Sequence, residues 1–271
     1  VRSRGLGDVY KRQFISSSDN YADLWPLFFD LFKKYWPEYE GTIYLQTQER
    51  QYTYPGLNII CTKVGKLKEF GRTLRAGLDQ IPTENILLIM IDYIFMGKVD
   101  NDRINACYHY FCEQQLDSCC LVWQSYPNVK EMSDHDYLLV TPPAPYIMFS
   151  YQIAFWKKSI LKEMALPHEN PWMSEWYGTL RAEKMHIRLA CLREGILPIP
   201  YDLTGCIHKG KWLQNAIDFL DENHYVFDFE KRGCYQDLPT TFFQRIRLKM
   251  MIYSAGLKGS WIDLWKRKRI N

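Results

Sequence analysis

Ile86-Leu87-Leu88-Ile89-Met90-Ile91-Asp92-Tyr93 is an unbroken apolar run that closes on one carboxylate and one aromatic ring. A run of this length reads as a central strand buried on both faces. The charge at its carboxyl end then lies at the rim of the sheet, where open α/β sheets bind ligands. Asp92 and Tyr93 are therefore the first candidate site residues.

The segments around this run alternate between strand and helix. Phe14-Ile15-Ser16 starts a strand. Leu24, Leu27, Phe28, Leu31, Phe32 and Tyr35 follow at helical spacing, with Asp23 as the expected N-cap, Pro26 in the first turn and Pro37 as the stop. Thr42–Leu45 and Leu57–Cys61 read as strands. Leu67, Phe70, Leu74 and Leu78 mark a second helix, and Ile104, Cys107, Tyr108, Phe111 and Cys112 a third. Cys119–Trp123 reads as a further strand. Such alternation predicts an α/β fold with a mostly parallel central sheet and helices on both faces. After about residue 125 the pattern weakens, and Pro142, Pro143 and Pro145 interrupt it. Tyr146–Trp156 reads as extended, leading into a short helix. A helix over 174–194 carries Ala182, Met185, Leu189 and Leu192 and stops at Gly195, and Ile196–Ile199 is a late strand.

Composition narrows the class. The chain has 271 residues, 47% hydrophobic and 15% aromatic, with nine Trp and nineteen Tyr. That is enough apolar content for a large core, or for flat surfaces that stack on sugars. Residues 1–13, VRSRGLGDVYKRQ, resemble a translated library adapter and are set aside from the fold. They hold Arg2, Arg4, Lys11 and Arg12 against Asp8, while the whole chain is +3, so the remainder is close to neutral. No nucleic-acid partner is expected from such a balance. Eight cysteines without a C-x-x-C pair read as reduced thiols of a cytoplasmic protein. No stretch approaches the roughly 20 apolar residues of a membrane span, and no signal peptide is visible. One domain over 14–255 is expected, followed by a tail over 256–271. The tail's Trp261–Arg269 mixes aromatics and cations, which suits either the edge of an anionic membrane or a solvated terminus.

Three groups at strand ends or loops could carry chemistry. Ser17-Ser18-Asp19 after the first strand either contacts a base or ribose or caps the next helix. Asp92-Tyr93 either holds a ribose hydroxyl or a divalent cation, or starts a turn. Asn170-Pro171-Trp172-Met173-Ser174-Glu175 places Trp172 and Glu175 three residues apart at a helix start. They read as a general base beside a sugar platform, or as an acid favoured by the helix dipole. His208-Lys209-Gly210-Lys211-Trp212 could neutralise a diphosphate or form a solvated basic turn. Lys68, Arg72 and Arg75 on one helix face read as a solvated face rather than a phosphate site.

The order of Ser17-Ser18-Asp19-Asn20-Tyr21, Ile43-Tyr44-Leu45, Ile86 to Phe95, Tyr151 to Lys157, Asn170 to Glu175 and Lys209-Gly210-Lys211-Trp212 resembles a bacterial family of nucleotide-sugar-dependent glycosyltransferases. These have a GT-A-like fold and are associated with capsule or lipopolysaccharide assembly. The resemblance runs over most of residues 14–215 and rests on order and spacing. It implies a nucleotide-sugar donor and a glycan or lipid-linked glycan acceptor. It places Ser17, Ser18 and Asp19 at the nucleotide, with Asp92 in the acidic strand-end motif. Glu175 takes the place of an inverting base, and Lys209 and Lys211 lie near the diphosphate. The protein is expected in the cytoplasm, peripheral at the inner face of the cell membrane where the tail docks on it. The family often carries two acids before the aromatic, where this chain has Ile91-Asp92-Tyr93, and Ile94 leaves no Asp-x-Asp. Asp92 is thus the one metal ligand implied for Mn or Mg, with cationic side chains as the alternative to an ion. A non-catalytic sugar- or nucleotide-binding scaffold of the same fold is the rival reading. A nucleotidyltransferase ranks last, because Ser17-Ser18-Asp19-Asn20 contains no Gly to cradle phosphates.

Overall fold

The computed structural model describes residues 12–124, 128–141 and 148–236. The basic aromatic tail over 256–271 and residues 1–11 lie outside the described residues.

Among the described residues the chain builds an α/β fold around a nine-stranded mixed sheet. Its first half is parallel. β1 (Arg12–Ser16) lies between β2 (Thr42–Leu45) and β4 (Asn85–Met90), and β3 (Asn58–Cys61) pairs with the far side of β2. The chain moves outward from β1 through β2 and β3, then returns to β4 on the other side of β1. That reversal creates a switch point between the carboxyl ends of β1 and β4. The second half is mixed. β5 (Ser118–Cys120), β6 (Val129–Glu131), β7 (Tyr137–Val140), β8 (Ala154–Lys157) and β9 (Leu189–Leu192) complete the order β3-β2-β1-β4-β8-β5-β9-β7-β6. β5 is parallel to β9, while β8 and β7 are antiparallel to their neighbours. β8 runs antiparallel to both β4 and β5 and joins the two halves. A short hairpin, β10 (Ile207–His208) and β11 (Lys211–Trp212), stands apart from the sheet.

Side-chain alternation explains the layers. In β1 and β4, Ile15, Leu87 and Ile89 face one way and Phe14, Ile86 and Leu88 the other. The first face packs against α1 (Trp25–Tyr35), α3 (Asn101–Glu113) and α6 (Gln214–Glu222). The second packs against α2 (Phe70–Leu78), α4 (Lys158–Met164) and α5 (Pro171–Lys184). Helices thus cover both faces, and β4 reads as an apolar run because both of its faces are dry. Phe28 and Phe32 of α1 and its C-cap Trp36 close around Phe95, with ring centroids 5.2–6.3 Å apart. Each such buried ring contributes about 1.5–3 kcal/mol. No helix among the described residues is long and apolar enough to cross a membrane.

Several sequence expectations are corrected. The helix expected over 174–194 ends at Lys184, and Leu189–Leu192 is β9. Those four residues are all buried between β5 and β7, so their apolar content is that of a strand and not of a helix face. His186 takes a left-handed backbone at the break, φ 53°. Ile196–Ile199 forms no strand. Within it the Pro198 carbonyl accepts from the Asp100 N–H, and just beyond it the Pro200 carbonyl accepts from the Met96 N–H. Asp23 does not cap α1, whose N-cap is Leu24 without a side-chain bond; the Asp23 carboxylate is held elsewhere. The first strand includes Arg12 and Gln13, which the sequence reading sets aside. Gln13 lies on the Ile15 side of β1 and is fully buried, and neither polar atom of its amide has a partner among the described residues.

Candidate functional site

The carboxyl ends of β1, β2 and β4 open into one cavity of about 920 Å³. Its floor is the chain leaving β1 (Ser16–Tyr21), the chain leaving β2 (Gln46, Gln48) and the chain leaving β4 (Met90–Tyr93). Its walls are the segment before α2, residues Tyr151 and Gln152, the first turns of α5, and the β10–β11 hairpin. Asp92, Tyr93, Ser17, Ser18, Asp19, Trp172, Glu175, His208 and Lys209 all line it. Residues separated by almost two hundred positions in the chain are brought to one place by the switch point.

Lys211 does not join them. It lies on β11, exposed and outside the lining, where it pairs across the hairpin from His208. The turn between them is Lys209-Gly210, with φ 50° and 81°. Two successive left-handed residues are the signature of the tight hairpin turn that matches strand twist, and they leave Lys209 at the mouth.

Asp92 sits just past β4 with its carboxylate against the backbone of Gly205. A Cβ on Gly205 would lie 2.9 Å from Asp92 Oδ2, and Gly205 has φ +78°. The Cys206 N–H donates to the Asp92 carbonyl at 2.8 Å. Burial raises the Asp92 carboxyl to a pKa of about 6. The same cause, with the charges of Asp92 and Glu175 behind it, pushes the Tyr93 phenol well above its ordinary value. Tyr93 is braced from behind by Tyr201, ring centroids 4.9 Å apart.

Glu175 projects from the second turn of α5. Asn170 caps that helix, its side-chain oxygen accepting from the Met173 N–H at 2.9 Å, with Pro171 at the start. Glu175 Oε1 accepts from the Tyr151 N–H at 2.9 Å. Oε2 has no partner among the described residues. Burial raises the Glu175 pKa, and the Tyr151 hydrogen bond offsets part of that rise. The helix itself is locked in place by a buried pair, with Arg181 Nη1 2.8 Å from Glu169 Oε1 and Nη2 2.6 Å from Oε2. The Tyr151 hydroxyl and Ser174 Oγ, 2.6 Å apart, add a second tie. Trp172 stands beside Glu175, 59% exposed, and meets the His208 ring edge-on at 6.4 Å between centroids.

The side chains of Ser17 and Asp19 are engaged within the protein. Ser17 Oγ accepts from Trp25 Nε1 at 2.8 Å. Asp19 accepts three backbone N–H bonds, from Gln48, Glu49 and Arg50 at 2.9, 2.9 and 3.1 Å. Asp19 thus pins the loop after β2 beside the loop after β1. Neither a helix cap nor an open carboxylate describes it.

Sequence reading misses Gln46, Gln48, Lys66, Thr73, Tyr151 and Gln152, all in the lining. It assigns Lys68 to a solvated face, whereas Lys68 lines the cavity. Lys68 precedes α2, and Arg75 within that helix turns away and bonds the carbonyls of Lys162 and Ala165. Lys66 is 83% exposed and 3.8 Å from Glu49, so it is held only loosely. A signal for the two glutamines is present. They follow β2 at the same sheet edge that singles out Ser17 and Asp92.

Among the described residues, no group of three or more His, Cys, Asp and Glu side chains is assembled as a metal cage. Among the lining carboxylates Asp19, Glu49, Asp92 and Glu175, Asp92 just past β4 would hold a hard ion jointly with phosphate oxygens.

No protein-family model matches the sequence, and no curated protein matches it at the sequence level. Solved structures with a similar course of chain include Staphylococcus aureus TarS 1-349 in complex with UDP, at 13% identity and TM-score 0.47, covering 68% of this chain and 58% of that one. A UDP-glucose pyrophosphorylase complexed with UDP-glucose is similar at 11% identity and TM-score 0.44, covering 68% and 90%. The 2-C-methyl-D-erythritol 4-phosphate cytidylyltransferase from Thermus thermophilus is similar at 8% identity and TM-score 0.44, covering 79% and 98%. The matched region spans little more than half the length of the TarS structure.

Proposed function

We propose that this chain transfers a sugar from a nucleotide-sugar to an acceptor hydroxyl. The observation that carries the reading is the meeting of Asp92 and Glu175 in one cavity, each with its pKa raised by burial, with an exposed indole and several cations around them. A transferase of this kind needs a base for the incoming hydroxyl and positive charge for the departing diphosphate. Glu175 Oε2 takes the acceptor proton. The acceptor oxygen bonds to the anomeric carbon as the bond from that carbon to the diphosphate oxygen breaks. His208 and Lys209, with Lys66 and Lys68 from the segment before α2, receive the charge of the nucleoside diphosphate. Asp92 would hold a divalent cation, Mn or Mg, together with the diphosphate oxygens, and the ion would supply further charge neutralisation. Trp172 offers a face for a sugar ring, as a glycan or lipid-linked glycan acceptor would require. Capsule or lipopolysaccharide assembly is the setting the sequence resemblance implies.

The test is a thermal-shift screen of UDP, GDP, ADP, CDP and dTDP with and without Mn²⁺, followed by donor turnover. A diphosphate at 100 times its Kd stabilises a fold by about 2.7 kcal/mol. One diphosphate should stand out, and its sugar donor should release it. Binding without release with every donor tested would make the protein a scaffold. Pyrophosphate release from a nucleoside triphosphate and a sugar phosphate would make it a nucleotidyltransferase.

A further inference from the structure

Arg232 stands 209 positions from Asp23 in sequence and is bonded to it side by side: Nε to Oδ2 at 2.7 Å and Nη2 to Oδ1 at 2.5 Å. The pair is almost closed off, with the side chains 11% and 12% exposed. The same guanidinium donates to the Asn20 carbonyl at 2.7 Å and to the Gly210 carbonyl at 3.3 Å. It also lies over the Tyr21 ring, 4.8 Å from its centroid. Asn20 and Tyr21 belong to the cavity floor after β1, and Gly210 completes the turn that presents Lys209 at the hairpin wall. A third connection runs through the backbone, where the Trp212 N–H donates to the Gly233 carbonyl at 2.9 Å. One side chain therefore touches both floor and wall without lining the cavity itself.

We propose that Arg232 is a positioning residue that fixes the loop Ser17–Tyr21 relative to the hairpin His208–Lys211, and so sets the cavity width at which a nucleoside diphosphate is gripped. The proposal rests on the nucleotide-sugar reading for its ligand and on geometry alone for its mechanics. A planar five-donor fork suits the task, because it can meet a carboxylate bidentately and still serve two carbonyls. Lysine keeps the charge but not the fork. With Arg232 gone, the floor loop and the hairpin are no longer tied to a common point, and the cations on the hairpin lose their register with the nucleotide loop. Glu175, held from α5 and Tyr151, is untouched.

The experiment compares the full chain with Arg232→Met, Arg232→Lys and Asp23→Asn. Hydrogen exchange is followed in residues 17–21, 208–211 and 86–90, and affinity is measured by calorimetry for the five nucleoside diphosphates. Arg232→Met should speed exchange in both 17–21 and 208–211 while leaving 86–90 unchanged. It should weaken the preferred diphosphate by tenfold or more, with Arg232→Lys intermediate. In turnover the loss should appear in donor KM with kcat nearly preserved. Faster exchange confined to residues 229–234 would overturn the proposal, as would diphosphate affinity within twofold of wild type. If Arg232→Met fails to fold, Arg232→Lys and Asp23→Asn carry the same comparison. If the wild type binds none of the five diphosphates, the nucleotide-sugar reading fails, and the exchange data still decide whether Arg232 couples floor and hairpin.

Discussion

The Tyr151 backbone N–H donates to Glu175 Oε1 at 2.9 Å, fixing one carboxylate oxygen of a residue that lines the cavity. A carboxylate held in this way keeps its orientation, as the base role proposed for Glu175 requires. Glu175→Gln keeps the shape and the carbonyl acceptor but removes the basic oxygen. Turnover should fall by about 10²–10⁴, while diphosphate affinity stays close to wild type. Single-turnover kinetics and calorimetry check the two halves, and near-wild-type turnover would remove Glu175 from the base role.

Asp92 should cost stability at neutral pH. Its carboxyl has a pKa of about 6 in the folded protein, against roughly 3.9 in an unfolded chain. The folded state holds the extra proton between those values, so stability is highest below about pH 4 as far as this group is concerned. It falls as pH rises toward the folded pKa of about 6 and is level above it. Asp92→Asn should abolish that slope and raise stability at slightly alkaline pH by about 1–3 kcal/mol, while weakening Mn²⁺-dependent diphosphate binding. Urea denaturation at about pH 4.5 and about pH 7.5, on either side of the folded pKa, reads the first effect. Equal gains at both pH values would show that Asp92 does not titrate in this window.

Gly205→Ala is expected to act on the same carboxylate from the backbone side. At φ +78° an alanine is strained by about 1–2 kcal/mol. Its Cβ would also meet Asp92 Oδ2 at 2.9 Å and force the carboxylate to turn. Both a lower denaturation midpoint and weaker diphosphate binding should follow. A variant that loses stability but binds normally would separate the turn from the site.

Gln13→Met should stabilise the protein. The Gln13 amide is fully buried with no partner for either polar atom among the described residues, and such a group costs about 1–3 kcal/mol. Methionine has nearly the same length and no polar atom to strand. A gain of about 1–2 kcal/mol, and a rise in Tm of roughly 2–8 °C, is the expected result. Calorimetry showing a loss would mean that the amide is satisfied in solution.

The parts of the fold legible in the sequence are those whose cause is local. Helix α1 follows from the spacing of Leu24, Leu27, Phe28, Leu31 and Phe32, and β4 from a run that is apolar because both faces are covered. Leu189–Leu192 reads wrongly because a four-residue buried strand and one face of a helix contain the same residue types. Only its position between β5 and β7 decides, and that is a tertiary fact. At the site, the rim rule finds Ser17 and Asp92 because each ends an obvious strand. Gln46 and Gln48 follow β2 at the same edge, but uncharged amides draw no attention without the cavity around them. Asp19 and Asp23 resemble ligand or cap residues, yet their partners are the loop at 48–50 and Arg232. No local pattern announces a partner 29 or 209 residues away.

Strand β8 has a consequence for the order in which the protein can be made. It supplies the antiparallel neighbour of β4 and the only link from β4 to β5 in the described sheet. While the chain emerges from a ribosome, β4 is complete by Met90, but its outer edge stays unpaired until Ala154–Lys157 appear. At about 5–20 residues per second that wait is on the order of ten seconds, with an apolar central strand open to any passing edge. The vulnerable moment in the life of this protein thus falls in its synthesis, before the cavity exists.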